Sequence, residues 1–201
     1  MRCPFVCMVA SLHRCTQVGL AYRAAVVNVR INKEKHMNIW KRIVVILLVS
    51  FCCIGCDQSS KHIASEHLGK NTMTSYFSDT VRIGYTENRG AFLGMGKDLP
   101  EELRFVVFTV FVGIFLTSFL LYLVFSSPLN MYTLVGLSCL FSGGASNFVD
   151  RAMNNGAVVD FLNVGVRPIR TGIFNIADMA ILFGVALFLF GSYYNSDKEI
   201  Y

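Results

Sequence analysis

Four aspartates of this chain stand where a carboxylate is costly. Asp57 and Asp150 each close a long apolar run, Asp160 lies in Val158-Val159-Asp160-Phe161-Leu162, and Asp178 opens a further run in Phe174-Asn175-Ile176-Ala177-Asp178-Met179-Ala180-Ile181. Insertion scales put an aspartate at the centre of a membrane helix at roughly 2.5–3.5 kcal/mol. Acids kept in spite of that cost pair with each other or with cations, or they do chemistry. Two carboxylates converging in a water-poor site cannot both ionise, so such a pair holds one proton near neutral pH. That is the equipment of an acid-pair hydrolase: one carboxylate takes a proton from water while the other, protonated, polarises a carbonyl. The titration then belongs to the pair and not to either residue.

Each acid also has a plainer reading. Lys61 lies four residues after Asp57, so on a helix the two face each other as a structural ion pair at the membrane edge. Asp150 is followed by Arg151, and Asn147 falls on the same helical face as both. Arg151 can neutralise Asp150 or hold another carboxylate. Asp178, three residues after Asn175, can be a helix-start charge favoured by the backbone dipole, and Asp160 a surface-loop acid. Taken singly, these readings stay open beside the catalytic one.

The elements that must position these acids are membrane helices. Among 201 residues, 54% are hydrophobic and only 15% charged, where soluble domains carry about 25% charge. No charge interrupts Phe105 to Phe125 or Leu129 to Val149, and about 20 apolar residues cross a bilayer. The expected fold is an α-helical membrane protein with four transmembrane helices, at about 38–61, 103–125, 129–149 and 173–194. Between them, residues 61–102 and 150–172 form long loops. Tyr76 to Glu87 alternates and is rich in aromatic and β-branched residues, which suits strands, and Asn88-Arg89-Gly90 suits a turn. A small β-containing region outside the membrane follows. Lys33, Lys35, Lys41 and Arg42 precede the first helix and place the N-terminus in the cytoplasm. Both long loops then lie on the extracytoplasmic side, although they too carry basic residues.

The net charge of +5 does not point to nucleic acid, because the cations flank apolar runs and form no basic and aromatic patch. Of the seven cysteines, Cys53 and Cys56 form a C-x-x-C, but no second ligand pair completes a metal site. They read as small apolar fillers of a helix. Residues 1–36 contain Arg2, Arg14, Arg23 and Arg30 and no acid before Glu34. They read as a targeting-like extension, or as lying ahead of a true start at Met37, with 37–201 as the membrane domain.

Five blocks in order carry a family resemblance: Asp57-Gln58-Ser59-Ser60-Lys61; Asn88-Arg89-Gly90-Ala91-Phe92; Gly143-Gly144-Ala145-Ser146-Asn147-Phe148-Val149-Asp150-Arg151; Val158-Val159-Asp160-Phe161; and Phe174-Asn175-Ile176-Ala177-Asp178. Over roughly Met37 to Tyr194 the chain resembles the lipoprotein signal peptidases, or signal peptidase II. One departure is Ser146, where the family usually has glycine. The resemblance implies an aspartic endopeptidase of the bacterial inner membrane. Its substrates would be prolipoproteins carrying a diacylglyceryl group on the cysteine after the cut. Asp160 and Asp178 would be the catalytic pair. Asn147, Arg151 and Asn175 would orient it or hold substrate, Asn88, Gly90, Ala91 and Phe92 would clamp substrate, and Asp57, Lys61 and Asp150 would be structural. No metal or cofactor is implied, and the protein would act as a monomer among membrane lipids.

Two other readings compete. A small transporter could use the aspartates as a proton relay, but relay acids lie near the bilayer midplane, whereas Asp160 and Asp178 flank one loop. The chain could itself be a lipoprotein modified at Cys56, since Lys41-Arg42, an apolar run and Gly55-Cys56 resemble a lipobox, but Cys53 fits it poorly and three further apolar runs follow.

Overall fold

The computed structural model describes residues 37–70, 72–90, 95–96, 98–126 and 129–199, with side chains to Tyr194. The expectations for residues 1–36 and for Ala91 and Phe92 therefore lie outside the described residues. Contacts divide the chain after Asn38, and Ile39–Tyr201 is one compact unit.

That unit is mostly helical. Helix α1 is Ile39–His67, α2 is Glu101–Phe125, α3 is Met131–Met153 and α4 is Ile176–Glu199. Helix α1 runs past Lys61 because its last turns lack Gly and Pro and carry an i,i+4 pair, His62 with Glu66. Helix α2 winds more widely over Val106–Phe111, a π-type stretch of the kind that marks functional sites.

Among the described residues, three helices are long and apolar enough to cross a membrane: α1, α2 and, in α4, Ile176–Tyr194. Their outward faces are bare hydrocarbon, with Phe51 80% and Phe125 71% exposed. A water-soluble core would bury such residues; lipid solvates them instead. Helix α3 is not in this set, because it is the inner helix and its buried face is polar. Ser138, Ser142, Ser146 and Asp150 repeat every four residues along it, and all are buried. Ser142 donates to Ser50 of α1 at 2.9 Å.

Helices α3 and α4 pack backbone to backbone. A Cβ at Gly136 would lie 2.8 Å from the Gly184 carbonyl oxygen, and one at Gly184 would lie 2.7 Å from the Leu140 nitrogen. Small residues at such a seam let helices gain dispersion contact where no hydrophobic drive exists between them. Gly184→Val is therefore expected to cost about 1–3 kcal/mol as an overpacked contact. The check is thermal unfolding in detergent, with Gly55→Ala as control, since nothing lies within 4 Å of a Cβ there.

A four-stranded antiparallel sheet, in the order β1-β2-β3-β4, comprises Met73–Tyr76, Val81–Asn88, Val158–Val166 and Ile169–Arg170. The expected strand region Tyr76 to Glu87 is thus interrupted: Phe77, Ser78 and Asp79 take positive φ in the turn between β1 and β2. Asp79 anchors that turn by accepting from Arg82 at 2.7 and 2.8 Å and from Ser75 at 2.8 Å. These donors hold its carboxyl well below the usual carboxylate range. The loop after α3 is also a strand, β3, and not an irregular loop. Its central register against β2 pairs Thr86 with Asp160 and Asn88 with Val158.

Candidate active site

The plain reading of Asp160 as a surface-loop acid does not survive the structure. Asp160 is 3% exposed. Strand alternation sends Val158 and Asp160, with Asn88 of β2, to one face of the sheet, and Val159, Glu87 and Arg89 to the other. On the first face is a cavity of about 610 Å³ whose walls include Phe108, Ile173, Ile181 and Leu182. Asp160, Asp178, Asn147 and Arg151 are the charged and amide groups at its rim, with Asn88. The opposite face borders a polar cavity of about 460 Å³ that reaches Lys61 and Asp150.

Asp178 is the third residue of α4, and Asn175 is its cap. The Asp178 N–H donates to Asn175 Oδ1 at 3.0 Å, and the Asn175 N–H donates to Asp178 Oδ2 at 3.2 Å. This reciprocal capping box fixes the carboxylate at the positive end of the helix dipole. The expected helix-start role is therefore real, and it coexists with a place on the cavity rim.

Asn175 also joins the two acids. Its Nδ2 donates to Asp160 Oδ1 at 2.7 Å while its backbone holds Asp178. The other oxygens are held too: Asn88 Nδ2 donates to Asp160 Oδ2 at 3.0 Å, and Asn147 Nδ2 donates to Asp178 Oδ1 at 3.0 Å. All four carboxylate oxygens thus accept from an amide. Burial pushes the Asp160 carboxyl up to about 6, opposed by its hydrogen bond from Asn88 and reinforced by the Asp178 charge.

Behind this pair lies a second polar layer. Lys61, 4% exposed, contacts Asp57 at 2.6 Å, Asp150 at 2.8 Å and Asn147 Oδ1 at 2.9 Å. The anticipated Asp57–Lys61 pair is present. Asp57 does more, accepting the Ala177 N–H at the start of α4 at 2.7 Å and the Ser146 hydroxyl at 2.7 Å. Of the two readings open for Arg151, neutralising Asp150 is not the one seen: the ion pair of Asp150 is with Lys61, and it also accepts from Gln58 Nε2 at 2.8 Å and from the Val159 N–H at 3.2 Å. Arg151 turns the other way, donating to the Gly90 carbonyl at 2.9 Å and lying over the Phe108 ring at 5.8 Å. Asn88 Oδ1 accepts the Gly90 N–H at 3.0 Å, so Asn88 and Gly90 form the expected turn beside the cavity. Ala91 and Phe92 lie outside the described residues.

Two contributors, Gln58 and Phe108, were not singled out from the sequence, and a third, Ser146, was noted only as a departure from the family pattern. Gln58 stands inside a quoted block, but its partners Ser146 and Asp150 lie about 90 residues on. Ser146 is more than a packing departure, because its hydroxyl reaches Asp57. Phe108 had no sequence signal at all within an uncharged apolar run.

A carboxylate pair locked by amides thus lies at one end of lipid-facing helices, beside a mostly apolar cavity. A family model described as signal peptidase (SPase) II matches residues 49–194. The lipoprotein signal peptidase of Borrelia garinii subsp. bavariensis is 31% identical over 175 residues, spanning 83% of this chain and 96% of that protein. That of Streptococcus pneumoniae is 29% identical over 149 residues, spanning 74% and 92%. Two solved structures described as bacterial membrane enzymes, obtained by the in meso method, share the fold. One has a TM-score of 0.64 at 24% identity, covering 81% of this chain and 93% of that one, and the other 0.58 at 26%, covering 77% and 94%. The chain belongs to the signal peptidase II family of aspartic peptidases. The proton-relay transporter is not favoured.

Proposed function

We propose that this protein removes signal peptides from diacylglyceryl-modified bacterial prolipoproteins, cutting on the N-terminal side of the lipidated cysteine. The observation that carries this reading is the placement of Asp160 and Asp178, tied together by Asn175, on the rim of a cavity with apolar walls. An acyl-bearing residue can lie against Ile181 and Leu182 while the adjacent peptide bond reaches the carboxylates.

In the reaction, the ionised carboxylate takes a proton from water as its oxygen attacks the scissile carbonyl carbon. The protonated carboxyl donates to the carbonyl oxygen as negative charge develops there. The tetrahedral intermediate collapses when the nitrogen of the lipidated cysteine gains a proton from the pair and the C–N bond breaks. One proton has entered from water and one has left on the amine, so the pair returns to its starting state. The amides of Asn88, Asn147 and Asn175 keep the carboxylates fixed and cost no reorganisation during the step. Arg151, Gly90 and the neighbouring Ala91 and Phe92 hold the substrate backbone.

In this reading all four helices cross the bacterial inner membrane, α3 included, because its polar face is covered by α1 and α4. The sheet and the carboxylates lie on the extracytoplasmic side, with Lys41 and Arg42 at the cytoplasmic end of α1. Arg42 supports that placement by donating to the Val124 and Ser126 carbonyls at the end of α2. Residues 37–201 are the peptidase domain, acting as a monomer among membrane lipids.

The test is cleavage by purified protein of a precursor with and without its diacylglyceryl group. The expected result is cleavage of the lipidated form, with at least about a hundredfold loss for the unlipidated one, as the removal of an acyl group from an apolar site entails. Equal cleavage of both forms would sink the substrate assignment.

A further inference from the structure

We infer that Lys61, beyond its structural ion pairs, is a positioning residue for the reaction: it fixes the orientation of the Asn147 amide and thereby keeps Asp178 as the ionised partner of the pair. This rests on the peptidase reading above and assigns separate roles to its two carboxylates.

An ammonium can only donate, so the oxygen of Asn147 must face Lys61, at 2.9 Å. Asn175 Nδ2 donates to that same oxygen at 3.1 Å. The Asn147 Nδ2 is thereby left to point at Asp178 Oδ1, where it lies at 3.0 Å. The hydrogen bonds run in one direction, from Lys61 to Asn147 and from Asn147 to Asp178, and they end on an oxygen that must accept. Asp178 Oδ2 accepts as well, from the Asn175 N–H. Asp178 sits at a helix start, while Asp160 lies on a strand and has no dipole behind it. Both acids accept from two amides, so the helix start is what tips the charge to Asp178 and leaves the shared proton to Asp160, with the Lys61–Asn147 chain holding Asp178 in that state. Asp178 is then the base that deprotonates water, and Asp160 the acid that polarises the carbonyl.

Lys61 is suited to this task because it cannot swing away. Asp57 on its own helix and Asp150 on α3 hold it from two sides. The charged groups facing this cluster are Asp57 and Lys61 of α1, Asp150 and Arg151 of α3, Asp160 of β3 and Asp178 of α4. Lys61 favours the ionised pair through space as well as through Asn147.

The experiment compares Lys61→Met with the parent, at equal amounts of folded protein, on the lipidated precursor. Removing one member of a buried cluster leaves charges unpaired, so a charge-matched variant, Lys61→Met with Asp150→Asn, accompanies it, and Asp150→Asn alone is the control that retains Lys61. Expected for the Lys61 variants is a fall in kcat of about a hundredfold with KM within about threefold of the parent. The acid limb of the kcat/KM profile should move to higher pH by about one unit, because losing a nearby cation favours the protonated pair. Asp150→Asn alone should keep its acid limb in place. The inference is overturned if either Lys61 variant, per mole of folded protein, retains the parent's kcat and acid limb. It is equally overturned if Asp150→Asn alone moves the limb as far as the variants lacking Lys61. Loss of cleavage in Asp160→Asn tests the peptidase reading separately, so the two can fail independently.

Discussion

Asp160→Asn and Asp178→Asn are each expected to lower cleavage of a lipidated precursor by about a thousandfold or more while the protein stays in the membrane. The substitution keeps the shape of the side chain but ends its ability to exchange a proton. At Asp160 both oxygens accept from amide donors, Asn88 on one side and Asn175 on the other. An introduced amide sets an NH2 group against one of those donors, a local cost of about 1–3 kcal/mol. That cost is tolerable for a helical membrane scaffold, so abundance should hold while turnover disappears. The pH profile of the parent should be bell-shaped. Its acid limb reports loss of the base as both carboxyls become protonated. Its alkaline limb reports loss of the single proton that burial retains, since burial pushes Asp160 up to about 6 and a seated substrate expels more water. Turnover near the parent's in either variant would refute the acid-pair mechanism.

Asp57→Asn should act on a different quantity. Asp57 is fully buried, with one oxygen on the Ala177 N–H and the other shared by Lys61 and Ser146. Losing its charge leaves Lys61 balanced by Asp150 alone and weakens the cap on α4. Breaking a buried pair costs about 3–5 kcal/mol, which would lower the accumulation of folded protein several-fold. Quantitative immunoblotting of membranes, with activity normalised to folded protein, checks this. Full abundance with no turnover would place Asp57 in the chemistry and not in the scaffold.

These two outcomes separate layers that were unequally legible in the sequence. The apolar runs marked the helices because lipid exposure needs no fine pattern. Asp57 and Lys61, four residues apart, were readable as a pair because one helix sets their geometry. Strand β3 was not readable. Val158, Val159, Asp160 and Phe161 are all buried on both faces of the sheet, so the period-two signal that reveals half-exposed strands is missing. Arg151 stays open in the sequence, either neutralising the adjacent Asp150 or holding another carboxylate, because chain adjacency cannot choose between them. For Asp150 the fold prefers Lys61, which lies on another helix and whose compact ammonium fits the space between two carboxylates. Phe108 was invisible for a further reason: it sits in the more widely wound stretch Val106–Phe111, and nothing in an all-apolar run signals that change of pitch.

The bond from the Ala177 N–H to Asp57 joins residues 120 apart, α4 to α1. A ribosome releases those helices in order, so for most of its synthesis the growing chain holds Asp57 without the helix it caps and Asp160 without its partner. A prematurely terminated product lacking α4 does not carry Asp178. On the proposed mechanism, proteolytic competence would arise only as α4 enters the bundle, and chains without it would be inert toward lipid-anchored precursors.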